Sequence, residues 1–115
     1  GQHVRHNIKK ELEYLDFEVD VSVIYEAKEI KSFNADMLKS LENKEITGVF
    51  LYSPRSARIF IDNMKRTKLT AVAPDLKVYC ISLAVADELK ELKWKKVLIA
   101  QKPDNAEMLA LVREK

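Results

Sequence analysis

Hydrophobic residues along this chain recur first at intervals of three and four, then at two, and the two periods keep alternating. Val4, Ile8, Leu12 and Leu15 are separated by Lys9, Lys10, Glu11 and Glu13, the stripe of an amphipathic helix with a polar outer face. After Asp16-Phe17, the residues Val19, Val21, Val23 and Tyr25 alternate with Glu18, Asp20, Ser22 and Ile24. Period two with β-branched side chains predicts a half-buried strand. Ser32 or Asn34 can cap a second helix whose apolar stripe is Met37, Leu38 and Leu41. Ile46-Thr47-Gly48-Val49-Phe50-Leu51-Tyr52 is then a continuous apolar run of strand length, suited to a strand covered on both faces.

The alternation continues to the end of the chain. Ser53-Pro54 can cap and start a helix holding Ala57, Ile59, Phe60, Ile61 and Met64, because proline is well tolerated at the first helical position. Beyond a basic stretch from Lys65 to Lys68 and a turn at Pro74-Asp75, Lys77 to Ile81 reads as a third strand. Leu83 to Leu92 reads as a helix, Lys96 to Ala100 as a fourth strand, and Pro103-Asp104-Asn105 leads into a last helix carrying Met108, Leu109 and Leu111. Short apolar strands alternating with helices imply right-handed crossovers. The fold class is therefore α/β, a parallel flavodoxin-like sheet with helices on both faces. The chain opens on a helix, without the strand that is central in such a sheet, and without an initiator Met. Both features lead to the expectation that a further segment precedes Gly1.

Composition narrows the function. At 115 residues, 47% hydrophobic and 33% charged, the chain has the length of one domain and enough apolar material for a packed core. Twenty Lys and Arg against eighteen Asp and Glu leave a formal charge of +2, too balanced for a dedicated nucleic-acid binder. No apolar run approaches the roughly 20 residues that span a bilayer, so no membrane association is expected. The single cysteine, Cys80, cannot form an internal disulfide, which points to a reducing, cytoplasmic compartment. It reads as a small buried hydrophobe rather than a nucleophile. His3 and His6 lie three apart but have no companion ligands in the other loops, so no metal is expected. Trp94, between two lysines, is expected to pack at a helix–strand turn. Two glycines are few for so many turns.

In open α/β sheets, ligands bind beyond the carboxyl ends of the strands, where helix starts point free N–H groups outward. The junctions concerned are Tyr52-Ser53-Pro54-Arg55, Ile81-Ser82-Leu83-Ala84 and Ala100-Gln101-Lys102-Pro103. All are polar or basic and none is acidic, which favours an anionic ligand. Ser53 is read equally as a plain N-cap and as a ligand contact.

Four blocks together resemble a known family. Gly1-x-x-x-Arg5 before an amphipathic helix, Val23-Ile24-Tyr25, Phe50-Leu51-Tyr52-Ser53-Pro54-x-Ser56 and Lys77-Val78-Tyr79-Cys80-Ile81-Ser82 stand in the order seen in uroporphyrinogen-III synthases. The resemblance is to the C-terminal half of that family's chain and extends over essentially all of the sequence, resting on order and spacing rather than on one diagnostic motif. It implies a lyase of porphyrin and haem biosynthesis that cyclises the linear tetrapyrrole hydroxymethylbilane to uroporphyrinogen III, inverting the last pyrrole ring. It also implies no cofactor, a monomeric full-length protein, and a two-lobed fold with segments shared between lobes. Carried over, residues 1–26 would be a helix and linker strand of one lobe and residues 27–115 the βαβ segments of the other. The isolated piece would then be inactive.

The resemblance assigns roles residue by residue. Tyr25 matches a tyrosine thought to assist departure of the hydroxyl; read from the residues alone, it is an amphipathic residue ending a strand. Gly1, Arg5, Ser53, Arg55, Ser56, Lys77, Ser82 and Ala84 would bind substrate carboxylates, although Lys77 reads equally as a solvated charge. Arg58, Lys65, Arg66 and Lys68 read as a solvated helix face. Where the family commonly has Gly followed by hydroxyl residues, this chain has Ser82-Leu83-Ala84-Val85. The alternatives weighed are a phosphoreceiver-like signalling domain, suggested by Lys102-Pro103, and a non-catalytic α/β interaction module. The first needs an acceptor aspartate where this chain has Ser53.

Overall fold

Residues 24–27 and 33–113, which the computed structural model describes, contain one four-stranded parallel sheet in the order β1-β2-β3-β4. The strands are β1 Ile24–Ala27, β2 Gly48–Leu51, β3 Lys77–Cys80 and β4 Lys96–Ile99. The helices are α1 Ala35–Glu42, α2 Pro54–Arg66, α3 Leu83–Asp87 and α4 Asn105–Leu111, with a 3-10 turn at Thr70–Asp75 before β3. The helix expected over Val4 to Leu15 lies outside the described residues. The expected boundary between residues 26 and 27 falls inside β1, whose four residues pair with β2.

Strand order follows chain order, so each right-handed crossover carries its helix to the same side of the sheet. Burial shows the consequence. Val49, Leu51, Val78 and Cys80 share one cluster with Met37 and Leu41 of α1, Phe60, Ile61 and Met64 of α2, and Val85 and Ala86 of α3. The alternate residues Phe50, Tyr79 and Leu98 share the other cluster with Met108, Leu109 and Leu111 of α4. The period-two pleat thus feeds two cores from one strand, as expected for helices on both faces. Full burial of a side chain such as Phe50 or Leu51 contributes about 1.5–3 kcal/mol. On the first face, β4 extends beyond the short α3, leaving Val97 and Ile99 partly exposed.

Local chemistry accounts for the helix limits. Asn34, not Ser32, caps α1, its Oδ1 accepting from the Met37 N–H at 2.8 Å. Ser53 caps α2 and Pro54 takes its first position. The helix expected from Leu83 to Leu92 is shorter than the pattern suggests. After Asp87 the bonds Glu88 N–H to Val85 O and Leu89 N–H to Ala86 O tighten the chain into turns. The Leu89 carbonyl then accepts from the Trp94 indole at 2.9 Å, and the indole stacks on Phe60 with centroids 6.0 Å apart. Trp94 therefore packs at the turn leading to β4, as expected. The same turn brings Glu91 to Arg58 and Lys65 of α2. Those two cations hold the Glu91 carboxyl below its ordinary range, and Asp62 together with Glu91 raises the Arg58 guanidinium. Part of the expected solvated face is thus a clamp between α2 and the segment after α3.

One buried polar residue joins α1 to α2. Asn63 is only 1% exposed, and its side chain is bonded at both ends. Its Oδ1 accepts from the Phe33 N–H at 3.3 Å and its Nδ2 donates to Ile59 O at 2.9 Å. The Arg66 guanidinium donates to the same Oδ1. The segment entering α1 is thereby tied to α2, where Phe33 meets Phe60 at 5.6 Å.

The shortage of glycine shows at two helix ends. Lys44 and Lys68 have φ of 59° and 62°, the left-handed conformation that favours glycine. Each closes a Schellman motif: Glu45 N–H to Ser40 O and Lys44 N–H to Leu41 O after α1, Leu69 N–H to Met64 O and Lys68 N–H to Lys65 O after α2. A left-handed residue with a Cβ costs about 1–2 kcal/mol, and glycine loses about 0.5–1 kcal/mol of that gain through its greater freedom when unfolded. Lys44→Gly and Lys68→Gly are each expected to raise stability by about 0.5–1 kcal/mol, measured as the midpoint of urea unfolding. Cys80 supplies a second check, since burial pushes its thiol up from 9.0 to about 12. The folded state holds the neutral thiol while the unfolded chain ionises first. Stability contributed by this group is complete below about pH 9 and declines as pH rises toward about 12. At pH 8, iodoacetamide should label Cys80 readily in urea and hardly at all in the native protein.

Candidate active site

Four parallel strands place all their carboxyl ends along one edge of the sheet. Three of those ends run into helix starts. The register fixes the relative heights: Ala27 lies opposite Leu51, Leu51 opposite Cys80, and Cys80 opposite Ile99. The segments following β2, β3 and β4 therefore emerge side by side.

The start of α2 is the best-formed of the three. Ser53 Oγ accepts from the Ser56 N–H at 3.0 Å and donates to Ser56 Oγ at 2.9 Å. That arrangement uses the Ser56 N–H as a cap and leaves the Ser56 hydroxyl proton to be given elsewhere. Pro54 has no N–H, and Ala57 N–H is bonded to Ser53 O. The Arg55 N–H and the Ser56 hydroxyl are the donors of the first turn, with the exposed Arg55 side chain beside them. The first turn of α2 holds no acidic residue and the last turn holds Lys65 and Arg66. Over 13 residues, the helix dipole presents a positive end to this edge, favouring an anion by about 0.3–1 kcal/mol.

The other two starts differ. Ser82 caps α3 by accepting from the Val85 N–H at 3.4 Å, and Ala84 is exposed in its first turn. With five residues, α3 carries little dipole. Leu83 is the most exposed large hydrophobic residue described, at 63%. At α4 the cap is Asp104, accepting from the Glu107 N–H at 2.8 Å, and Glu107 adds a second acid in the first turn. The third junction, all basic or neutral up to Pro103, thus ends in local negative charge. Of the three starts, that of α2 has the helix length and the lack of acids that best suit an anion.

The expected site residues are distributed unevenly. Ser53, Arg55, Ser56, Ser82 and Ala84 come together along the carboxyl edge. Lys77 does not: it is the first residue of β3, a strand's length away at the amino end. Tyr25 is the second residue of β1, opposite Val49, so the strand continues past it to Ala27 rather than ending there. Gly1 and Arg5 lie outside the described residues, as do His3 and His6. Among the described residues no group of three or more His, Cys, Asp or Glu side chains is gathered as metal ligands, and no helix is long and apolar enough to cross a membrane.

One contact at this edge was not foreseen from the sequence. The phenol of Tyr52, the residue before Ser53, donates to Asn105 Oδ1 at 3.2 Å across 53 residues of chain. Tyr52 also meets Phe50 edge to face at 6.3 Å. The Tyr52-Ser53 junction itself was legible, but no periodicity relates it to Asn105.

A family model described as uroporphyrinogen-III synthase HemD matches residues 1–110. No curated protein and no solved structure matches the chain. The family match agrees with the resemblance carried by the four sequence blocks, and it lends no support to the phosphoreceiver-like or interaction-module readings.

Proposed function

This chain belongs to the uroporphyrinogen-III synthase family, lyases that close hydroxymethylbilane into uroporphyrinogen III in haem biosynthesis, and from that premise we propose how its residues take part. The start of α2 receives a carboxylate of the substrate, and Tyr25 assists departure of the hydroxyl group. The observation that carries the binding assignment is the Ser53–Ser56 pair. It lies at the carboxyl edge of a parallel sheet, on the positive end of a helix whose first turn holds no acid.

Hydroxymethylbilane is a polycarboxylate with a hydroxymethyl leaving group. Its electron-rich pyrroles promote loss of that hydroxyl once a proton or hydrogen bond is offered to the departing oxygen. Much of the task left to the protein is orientation, holding the two ends so that closure occurs with the last ring inverted. The Arg55 N–H and the Ser56 hydroxyl are suited to anchor one carboxylate, with the Arg55 side chain supplying charge. Ser82 offers a further hydroxyl along the same edge. Where hydroxyl residues are common in the family, Ala84 leaves only its backbone N–H, since the Val85 N–H is taken by the Ser82 cap. A phenol, with an ordinary pKa of about 10, stays protonated at neutral pH and can give a hydrogen bond to the leaving oxygen. On this reading the sheet forms one wall of the cleft. The other wall is a second lobe reached through the residues before β1, and the enzyme works as a cytoplasmic monomer.

Both assignments are testable in the full-length enzyme, supplied with enzymatically made hydroxymethylbilane and assayed for the type III isomer after oxidation and chromatography. Ser56→Ala should raise KM about tenfold or more, the value of a charge-assisted hydrogen bond, with the Ser53 cap still able to accept from the residue 56 N–H. An unchanged KM would remove the carboxylate assignment. Tyr25→Phe should lower kcat at least tenfold at an unchanged melting temperature. Unaltered turnover would make Tyr25 a structural residue.

A further inference from the structure

The hydrogen bond between Tyr52 and Asn105 joins two helix starts, and neither residue has a role in the site described above. Tyr52 adjoins Ser53, the cap of α2, while Asn105 adjoins Asp104, the cap of α4. In the sheet, β3 lies between the strands that lead to these two helices. The contact therefore spans a strand that contributes neither partner. Its geometry follows from the pleat. Phe50 lies on the α4 face of β2 and Tyr52 follows two residues later, packed against the same cluster as Met108, Leu109 and Leu111. The half-buried phenol reaches the first residue of α4 from there.

Tyr52 packs on this side by apolar contact, which fixes direction weakly. A hydrogen bond is directional. It sets how far α2's first turn stands from α4, and hence where the Arg55 N–H and the Ser56 hydroxyl point. We propose that Tyr52, anchored by Asn105 Oδ1, is a positioning residue for the anion-receiving start of α2. This inference rests on the carboxylate reading for its effect on the reaction, but the bridge itself acts on α2 whether or not substrate is present.

The test is a double-mutant cycle in the full-length enzyme with Tyr52→Phe, Asn105→Ala and the pair, read by steady-state kinetics and amide hydrogen exchange. Loss of one such bond corresponds to about a three- to tenfold change. Each single variant should raise KM by that factor, leave kcat within about twofold, and speed exchange at Ser56 and Ala57, whose N–H groups both bond to Ser53, by a similar factor. Exchange at Phe60 to Met64, in the middle of α2, should not change. The double variant should be no worse than the more affected single variant, because both remove the same bond. Additive effects on KM, unchanged exchange at the start of α2, or faster exchange with an unchanged KM would each overturn the inference. Ser56→Ala separates it from the reading on which it rests. If Ser56→Ala leaves KM unchanged while Tyr52→Phe shifts both readouts, the carboxylate assignment fails and the positioning role stands.

Discussion

All strands of the sheet run in one direction, and the rest of the molecule is arranged by that constraint. A parallel pair cannot be closed by a tight hairpin, so every return of the chain is a crossover that carries a helix or turn back to the sheet's amino end. Because the crossovers share one hand and the strands add in chain order, α1, α2 and α3 accumulate on one face. Among the described residues, the second face is covered by α4, which turns back over β3 and β4. The same direction gathers the starts of α2, α3 and α4 along one edge, which is why residues as distant as Tyr52 and Asn105 are neighbours.

That common edge does not make the three helix starts equivalent. A helix start attracts an anion in proportion to the helix behind it and in inverse relation to the acids already there. α2 has length and no acid, α3 has neither length nor acid, and α4 spends its cap on Asp104 with Glu107 close behind. Charge balance over the whole chain conceals this. A formal charge of +2 still permits a short, locally positive edge of the kind proposed to receive a carboxylate.

Much of this was legible in the residues. Continuous apolar runs located β2, β3 and β4, the period-two stretch reached β1 at Ile24 and Tyr25, and Pro54 after Ser53 marked the start of α2. The junctions, and the bias toward an anion, also followed from residue type. Other features escaped the pattern. The helix beginning at Leu83 stops early because Trp94 takes the Leu89 carbonyl and stacks on Phe60, contacts between residues whose pairing no local period encodes. Asn63 carries no signal in the sequence pattern, and only its burial against the Phe33 N–H reveals it as a tie between helices. Lys77 read as a possible partner for a carboxylate until strand direction set it at the opposite end from Ser53.

By itself the sequence determined the class of fold, the start of α2 and the family, because periodicity, capping and side-chain chemistry are properties of neighbouring residues. The tertiary structure alone decided which junctions meet, which donors remain after capping, and that Tyr52 reaches Asn105. Those outcomes depend on strand order, register and the direction of each crossover, through which residues with no local relation are brought within hydrogen-bonding distance.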